Sequence, residues 1–119
     1  MIVDDDEFIR SILMDMLSET GLVLDEAQDG REAVALCNKA PYALVLMDLL
    51  MPVMTGLEAT ALVRQIPGME RAPILALTGH SNVADRIKCL EAGMNDFITK
   101  PIRSEALAAI MLHWLRSRL

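Results

Sequence analysis

The chain has 119 residues, 53% of them hydrophobic, with 17 acidic against 11 basic side chains and a formal net charge of −6. That length supports one domain with one sizeable core, and the apolar content excludes a disordered chain. The acidic balance argues against nucleic-acid binding, which needs a basic face. No apolar run reaches the length of a membrane span, and no stretch reads as a signal peptide.

The first strand is Met1-Ile2-Val3, which runs straight into Asp4-Asp5-Asp6. Ile9, Ile12, Leu13, Met16 and Leu17 then recur at i, i+3, i+4, i+7 and i+8. That spacing is one face of a helix over about 6–20, stopped at Gly21. Met14 falls off this stripe, an exposed apolar residue that would suit helix docking. Leu22-Val23-Leu24 opens a second strand ending near Ala27. Asp29-Gly30 is a turn, and a short helix from Arg31 to Lys39 carries Ala33, Val34 and Cys37 inward before Pro41 closes it.

Ala43-Leu44-Val45-Leu46-Met47-Asp48 is a continuous apolar run that ends in one carboxylate, the pattern of a strand buried on both faces. The loop from Leu49 to Met54 contains Met51-Pro52, where proline fixes its own backbone and restricts its predecessor. A helix from about Gly56 to Gln65 ends before Pro67-Gly68. Pro73 to Leu77 is a strand leading to Thr78. Ser81 or Asn82 then caps a helix reaching Ala92, broken at Gly93. On that helix Val83, Ile87 and Leu90 share one side, and Cys89 lies on the other, partly exposed. Asn95 to Thr99 is a strand entering Lys100-Pro101. The last helix runs from Ser104 to about Arg118, with Leu107, Ile110, Met111 and Trp114 inward and Ala108, Leu112 and Leu119 as an apolar shoulder. The two cysteines have no metal-ligand spacing and are too few for a disulfide framework, so reduced thiols are expected.

Five strand–helix repeats predict an α/β fold with a parallel sheet, helices on both faces and right-handed crossovers. Ligands of such sheets gather outside the carboxyl ends of the strands. Parallel strands would therefore bring Asp4, Asp5, Asp48, Thr78 and Lys100 to one edge. Clustered carboxylates raise the pKa of at least one member unless a cation intervenes. The oxygen-rich set Asp4, Asp5 and Asp48 suits a hard divalent ion such as Mg²⁺. Asp6 reads instead as a helix N-cap.

The Asp4-Asp5 pair, Asp48 within Met47-Asp48-Leu49-Leu50-Met51-Pro52, Thr78-Gly79 and Phe97-Ile98-Thr99-Lys100-Pro101 stand in an order that resembles a response-regulator receiver domain over nearly the whole chain. Leu36-Cys37-Asn38 and the run Cys89 to Phe97 look most like receivers attached to hybrid sensor kinases. The resemblance implies a flavodoxin-like, doubly wound five-stranded parallel sheet of order 2-1-3-4-5 with five helices, in a single domain over 1–119. It implies Mg²⁺ held directly by Asp5, Asp48 and the Leu50 carbonyl, with Asp4 acting through water. Asp48 would be the phosphorylated nucleophile, and Lys100 and Thr78 would bind phosphoryl oxygens. Thr78 and Phe97 would form the switch, and the Lys100–Pro101 bond would be cis, aiming the ammonium into the site.

The implied donor is a phosphohistidine on a histidine kinase or a histidine phosphotransfer domain. The domain would catalyse its own phosphorylation and dephosphorylation without being a turnover enzyme. No nucleic-acid or membrane contact by this domain is expected, and weak self-association would use the last helix. The setting would be cytoplasmic, including the cytoplasmic part of a membrane-anchored sensor kinase. The family usually starts a few residues earlier, so a piece of a longer chain is expected. Two departures from the family pattern stand out. Thr55 replaces a frequent Asp, altering a helix cap, and Gly79 replaces a common Ala, adding backbone freedom beside Thr78. A Mg²⁺-dependent phosphohydrolase is the competing reading, but Leu50 stands where such enzymes carry an acid/base Asp, and there is no cap domain. A pseudo-receiver would lack an acidic residue, Thr or Lys, and none is missing. Flavin binding would want a phosphate-cradling loop where this chain is acidic.

Overall fold

The computed structural model describes residues 1–79 and 82–116. Strands β1 (Ile2–Val3), β2 (Glu26–Ala27), β3 (Val45–Asp48), β4 (Ile74–Thr78) and β5 (Asp96–Thr99) alternate with helices α1 (Glu7–Leu17), α2 (Gly30–Lys39), α3 (Gly56–Val63), α4 (Val83–Ala92) and α5 (Ser104–Arg116). All strand pairs are parallel, and their order is β2-β1-β3-β4-β5, as expected.

Successive strand residues point to opposite faces, and this splits the core in two. Val3, Val45, Met47, Ile74 and Ala76 join Ala33, Cys37, Ala59 and Val63 from α2 and α3, with Cys89 from α4. Ile2, Leu46, Leu75, Leu77 and Ile98 join Leu13 and Leu17 from α1 with Leu107 and Met111 from α5. Both faces of β3 and β4 are covered, which explains their unbroken apolar runs.

The second strand is shorter than its sequence promises. Only Glu26 and Ala27 pair, opposite Ile2 and Val3, because β1 offers just two partners. Leu22 and Val23 stay outside the sheet, Val23 at 92% exposure. Met14 is also corrected: it is half-buried and packs against the core as a shoulder to Leu13 and Leu17. The exposed apolar residue of α1 is Phe8, in its first turn.

The orientation of α4 is reversed relative to expectation. Val83, Ile87 and Leu90 face solvent, and Cys89 is buried. Asp85, Cys89 and Ala92 form its inner stripe at i, i+4 and i+7, so the helix turns small and polar groups inward rather than its bulky ones. Asn82 caps it, accepting from the Asp85 N–H, and Gly93 ends it in the left-handed region at φ 106°. Ser81, the other candidate cap, lies outside the described residues, as do Arg118 and Leu119 of the expected last helix. Within that helix Leu107 and Met111 are buried and Ile110 and Trp114 pack beside them.

Arg64, just past α3, ties several loose ends together. Its guanidinium donates to the carbonyls of Met69 (2.8 Å), Ala72 (2.7 Å) and Gly93 (2.7 and 3.0 Å) and to Asn95 Oδ1 (2.8 Å). Asn95 Oδ1 in turn accepts the Ile74 N–H at 2.9 Å.

Gly56 fixes how closely α3 approaches β3. Its N–H donates to the Leu49 carbonyl at 2.9 Å, and a Cβ there would overlap the Asp48 carbonyl oxygen and crowd Leu49 Cα. The obstacle is backbone and cannot swing aside. Gly56→Ala should therefore destabilise the domain by about 2–3 kcal/mol. Urea unfolding of the variant beside the parent protein measures this, and an unchanged midpoint would contradict the packing account.

Candidate active site at the carboxyl edge of the sheet

The carboxyl ends of the strands open into a cleft of about 580 Å³. Asp4, Asp5 and Asp6 enter it from the end of β1, Asp48 and Leu50 from the end of β3, Thr78 and Gly79 from β4, and Lys100 from β5. Each residue is there because its strand ends there. The register places Asp48 beside Leu77 and Thr78 beside Thr99, so successive strands finish nearly level.

Asp4 is fully buried. Its carboxylate accepts the Asp6 N–H at 2.9 Å and the Lys100 ammonium at 3.1 Å, while Arg10 donates to its carbonyl at 2.6 Å. Lys100 also reaches Asp48 Oδ1 at 3.3 Å. Asp5 is exposed at the mouth, and Asp6 caps α1 by accepting the Phe8 and Ile9 N–H groups. One carboxylate oxygen from each of Asp4, Asp5 and Asp48 lies within 4.8 Å of the others.

The electrostatics follow from this crowding. Burial, then repulsion from Asp4, pushes the Asp48 carboxyl up to about 6 against the attraction of Lys100. For Lys100, burial pulls the ammonium down, but its hydrogen bond to Asp4 and the attraction of Asp48 and Asp4 outweigh this and hold it above the usual lysine range. Negative charge at the edge exceeds what one ammonium balances.

The structure thus brings Asp4, Asp5, Asp48, Leu50, Thr78 and Lys100 together. Phe97 does not line the cleft. It stands half-buried on β5 with the Arg86 guanidinium over its ring. The Lys100–Pro101 peptide is cis. Thr55 caps α3, in a reciprocal pair with Glu58 that satisfies both residues' N–H groups. A Cβ at Gly79 would meet nothing within 4 Å. Sequence reasoning missed Asp85, Lys88 and Cys89, which line the α4 side of the cleft. The available signal was Asp85, three residues after the Asn82 cap and four before Cys89, on the stripe opposite the bulky residues.

The cluster suits a hard cation on its own chemistry. The donors are all oxygen, and carboxylates from buried Asp4 and Asp48 and exposed Asp5 share one small volume, in which Asp48 is pushed to resist ionisation.

Comparison with known proteins agrees with this geometry. The chain is 35% identical over 118 residues to the signal transduction histidine-protein kinase BarA of Escherichia coli, covering 96% of this chain and 12% of that protein. It is 37% identical to hybrid signal transduction histidine kinase B of Dictyostelium discoideum, covering 94% of this chain and 6% of that protein. The chain thus spans a small fraction of these relatives' length. Among solved structures, Vibrio cholerae chemotaxis protein CheY4 superposes with a TM-score of 0.91 at 32% identity, covering 94% of this chain and 93% of that one. The receiver domain of a Pseudomonas aeruginosa sensor histidine kinase, with magnesium coordinated in its active-site cleft, gives 0.89 at 34% identity, with 96% and 93% covered. The family model for the response regulator receiver domain matches residues 1–112. With that match, and with carboxylates, hydroxyl and ammonium gathered at one sheet edge, this chain belongs to the response regulator receiver domain family, whose function is phosphoacceptance in phosphorelay signalling.

Proposed function

We propose that Asp48 is the phosphoacceptor of this domain, that Asp4 and Asp5 complete a Mg²⁺ site with it, and that Thr78, Lys100 and Phe97 bind and report the phosphoryl group. The observation that carries this reading is the raised pKa of Asp48 among Asp4, Asp5 and Lys100 in an open cleft. Asp5, Asp48 and the Leu50 carbonyl would hold the ion, with Asp4 acting through water. When bound, it supplies charge neutralisation for the carboxylates and the incoming phosphoryl oxygens.

The chain's own residues do the rest. An Asp48 carboxylate oxygen attacks phosphorus, the phosphorus–nitrogen bond of a phosphohistidine breaks, and the imidazole leaves with the electron pair. Lys100, already reaching Asp48 and Asp4, is placed to take a phosphoryl oxygen. The Thr78 hydroxyl closes on another oxygen, and Phe97 turns inward behind it. Hydrolysis by water returns the carboxylate. Labelling and loss are thus the domain's own chemistry, without a separate turnover substrate.

The donor partner is a histidine kinase or a histidine phosphotransfer domain. The approach surface supported by burial is the mouth of the cleft at Leu50, 78% exposed, with the first turn of α1 that follows Asp6, where Phe8 is 71% exposed. Met14, packed against the core, does not offer it. Among the described residues no helix is long and apolar enough to cross a membrane, and a cytoplasmic setting remains part of the proposal.

Three measurements test this reading. With acetyl phosphate and Mg²⁺ the protein should gain one base-labile acyl phosphate at Asp48, lost in Asp48→Asn and reduced at least tenfold in Asp5→Ala. Stoichiometric labelling that survives either substitution, or survives a chelator, overturns the assignment.

Phe8→Glu should slow transfer from a phosphohistidine domain by about tenfold, the scale of losing one well-packed apolar contact. Labelling by acetyl phosphate should be unchanged. Equal slowing with both donors would place the defect in the site itself.

The third measurement follows from the pKa of about 6 at Asp48 against an ordinary 3.8. Between these values the folded domain binds the extra proton, so this group's contribution to stability is largest at low pH and is lost as pH rises through 6. In chelator, Asp48→Asn should therefore be more stable than the parent at pH 7–8, by about 1–3 kcal/mol. The gap should close near pH 4. A constant difference across the range would contradict the electrostatic account.

A further inference from the structure

Two cavities meet at one side chain. The cleft described above is bounded on its α4 side by Asp85, Lys88 and Cys89. A second cavity of about 330 Å³ lies between α4 and β5, lined by Arg86, Cys89, Leu90, Asn95, Asp96 and Phe97. Among the described residues, Cys89 alone lines both. The Phe97 ring packs against the core cluster that contains Cys89 and is covered on its outer side by Arg86, whose guanidinium carbon is 4.2 Å from the ring centroid.

The backbone around Phe97 is pinned. Its N–H donates to Asp96 Oδ1 at 2.9 Å, and Asp96 Oδ2 accepts the Trp114 indole N–H at 3.0 Å. Motion at this point is therefore rotation of the ring, not displacement of the strand. A ring turning toward the cleft leaves the guanidinium behind. Arg86 is exposed on α4, and following the ring inward would take its charge out of water.

We propose that Arg86 is a latch on Phe97: its guanidinium, stacked on the ring, holds the domain in its resting arrangement and sets how readily phosphorylation switches it. This rests on the reading of Thr78 and Phe97 as the switch. A contact made in one state only shifts the equilibrium by its own free energy. For a cation over an aromatic face at a solvent-exposed site this is about two- to fivefold. By linkage, phosphorylation becomes more favourable by the same factor when the latch is removed.

The chain contains two phenylalanines, Phe8 and Phe97. Protein labelled with 4-fluorophenylalanine therefore gives two fluorine signals, and Phe8, exposed on α1, serves as the internal reference. In the unphosphorylated state, Arg86→Gln should move the Phe97 signal part of the way toward its position in acetyl-phosphate-treated parent protein with Mg²⁺. Its phosphorylated fraction at fixed, limiting acetyl phosphate should rise two- to fivefold in the ratio of phosphorylated to free. Arg86→Lys, which keeps a cation, should lie between. If the parent's Phe97 signal moves on phosphorylation but Arg86→Gln leaves both the resting signal and the ratio unchanged, the latch is overturned and the switch stands. If the parent's signal does not move at all, the switch reading fails and the latch falls with it.

Discussion

Three carboxylates share one edge of this sheet because parallel order leaves them nowhere else to go. Repulsion among Asp4, Asp5 and Asp48 is the constraint around which the neighbouring structure is arranged. Lys100 crosses from the far side of the sheet to stand between Asp4 and Asp48, and the Asp6 N–H turns back onto Asp4. The start of α1, where partial positive charge accumulates, lies directly behind the acidic run. Even so the balance stays negative, and Asp48 holds its proton more tightly than an ordinary aspartate. Crowded carboxylates with one ammonium between two of them make an edge that a cation would relieve.

Much of this was legible in the residues. The β3 run ending at Asp48 reads as a doubly buried strand and the β4 run ending at Thr78 as a strand, and both have their two faces covered. Strand ends carry the polar groups, so parallel order alone predicts the cleft. What was not legible were facts set by neighbours. The length of β2 depends on how much of β1 is available to pair, not on the apolar character of Leu22 and Val23. The burial of Met14 depends on the width of the groove beneath α1, which its own spacing does not state. The rotation of α4 misled most. Spacing gathers bulky Val83, Ile87 and Leu90 on one side with Cys89 opposite and partly exposed, yet the inward stripe is Asp85, Cys89 and Ala92. Periodicity finds the apolar face of a helix, but not whether that face is the one turned to the sheet.

The departures from the family pattern carry different weight. Thr55 keeps the helix-capping role with the help of Glu58, so the change is absorbed locally. Gly79 borders open space, where a Cβ would be accommodated without a clash. Val53, in the loop beside the cleft, holds a left-handed φ of 72° that a β-branched side chain adopts reluctantly. Both residues sit in segments bordering the cleft rather than in the core.

The Arg64 guanidinium joins the end of α4, the loop before β4 and Asn95, just ahead of β5, through carbonyl and amide oxygens, at the edge of the sheet opposite the carboxylates. Mechanically that makes α4 a beam clamped at one end. Strain delivered at the carboxylate edge would meet resistance to sliding the helix along its axis, leaving bending or rolling of the unclamped first turns as the softer response. The exposed strip of Val83 and Ile87, near that free end, would then sweep farther than Leu90 beside the clamp. A fixed pivot far from the acidic edge would turn a local change in charge there into a directed movement of surface.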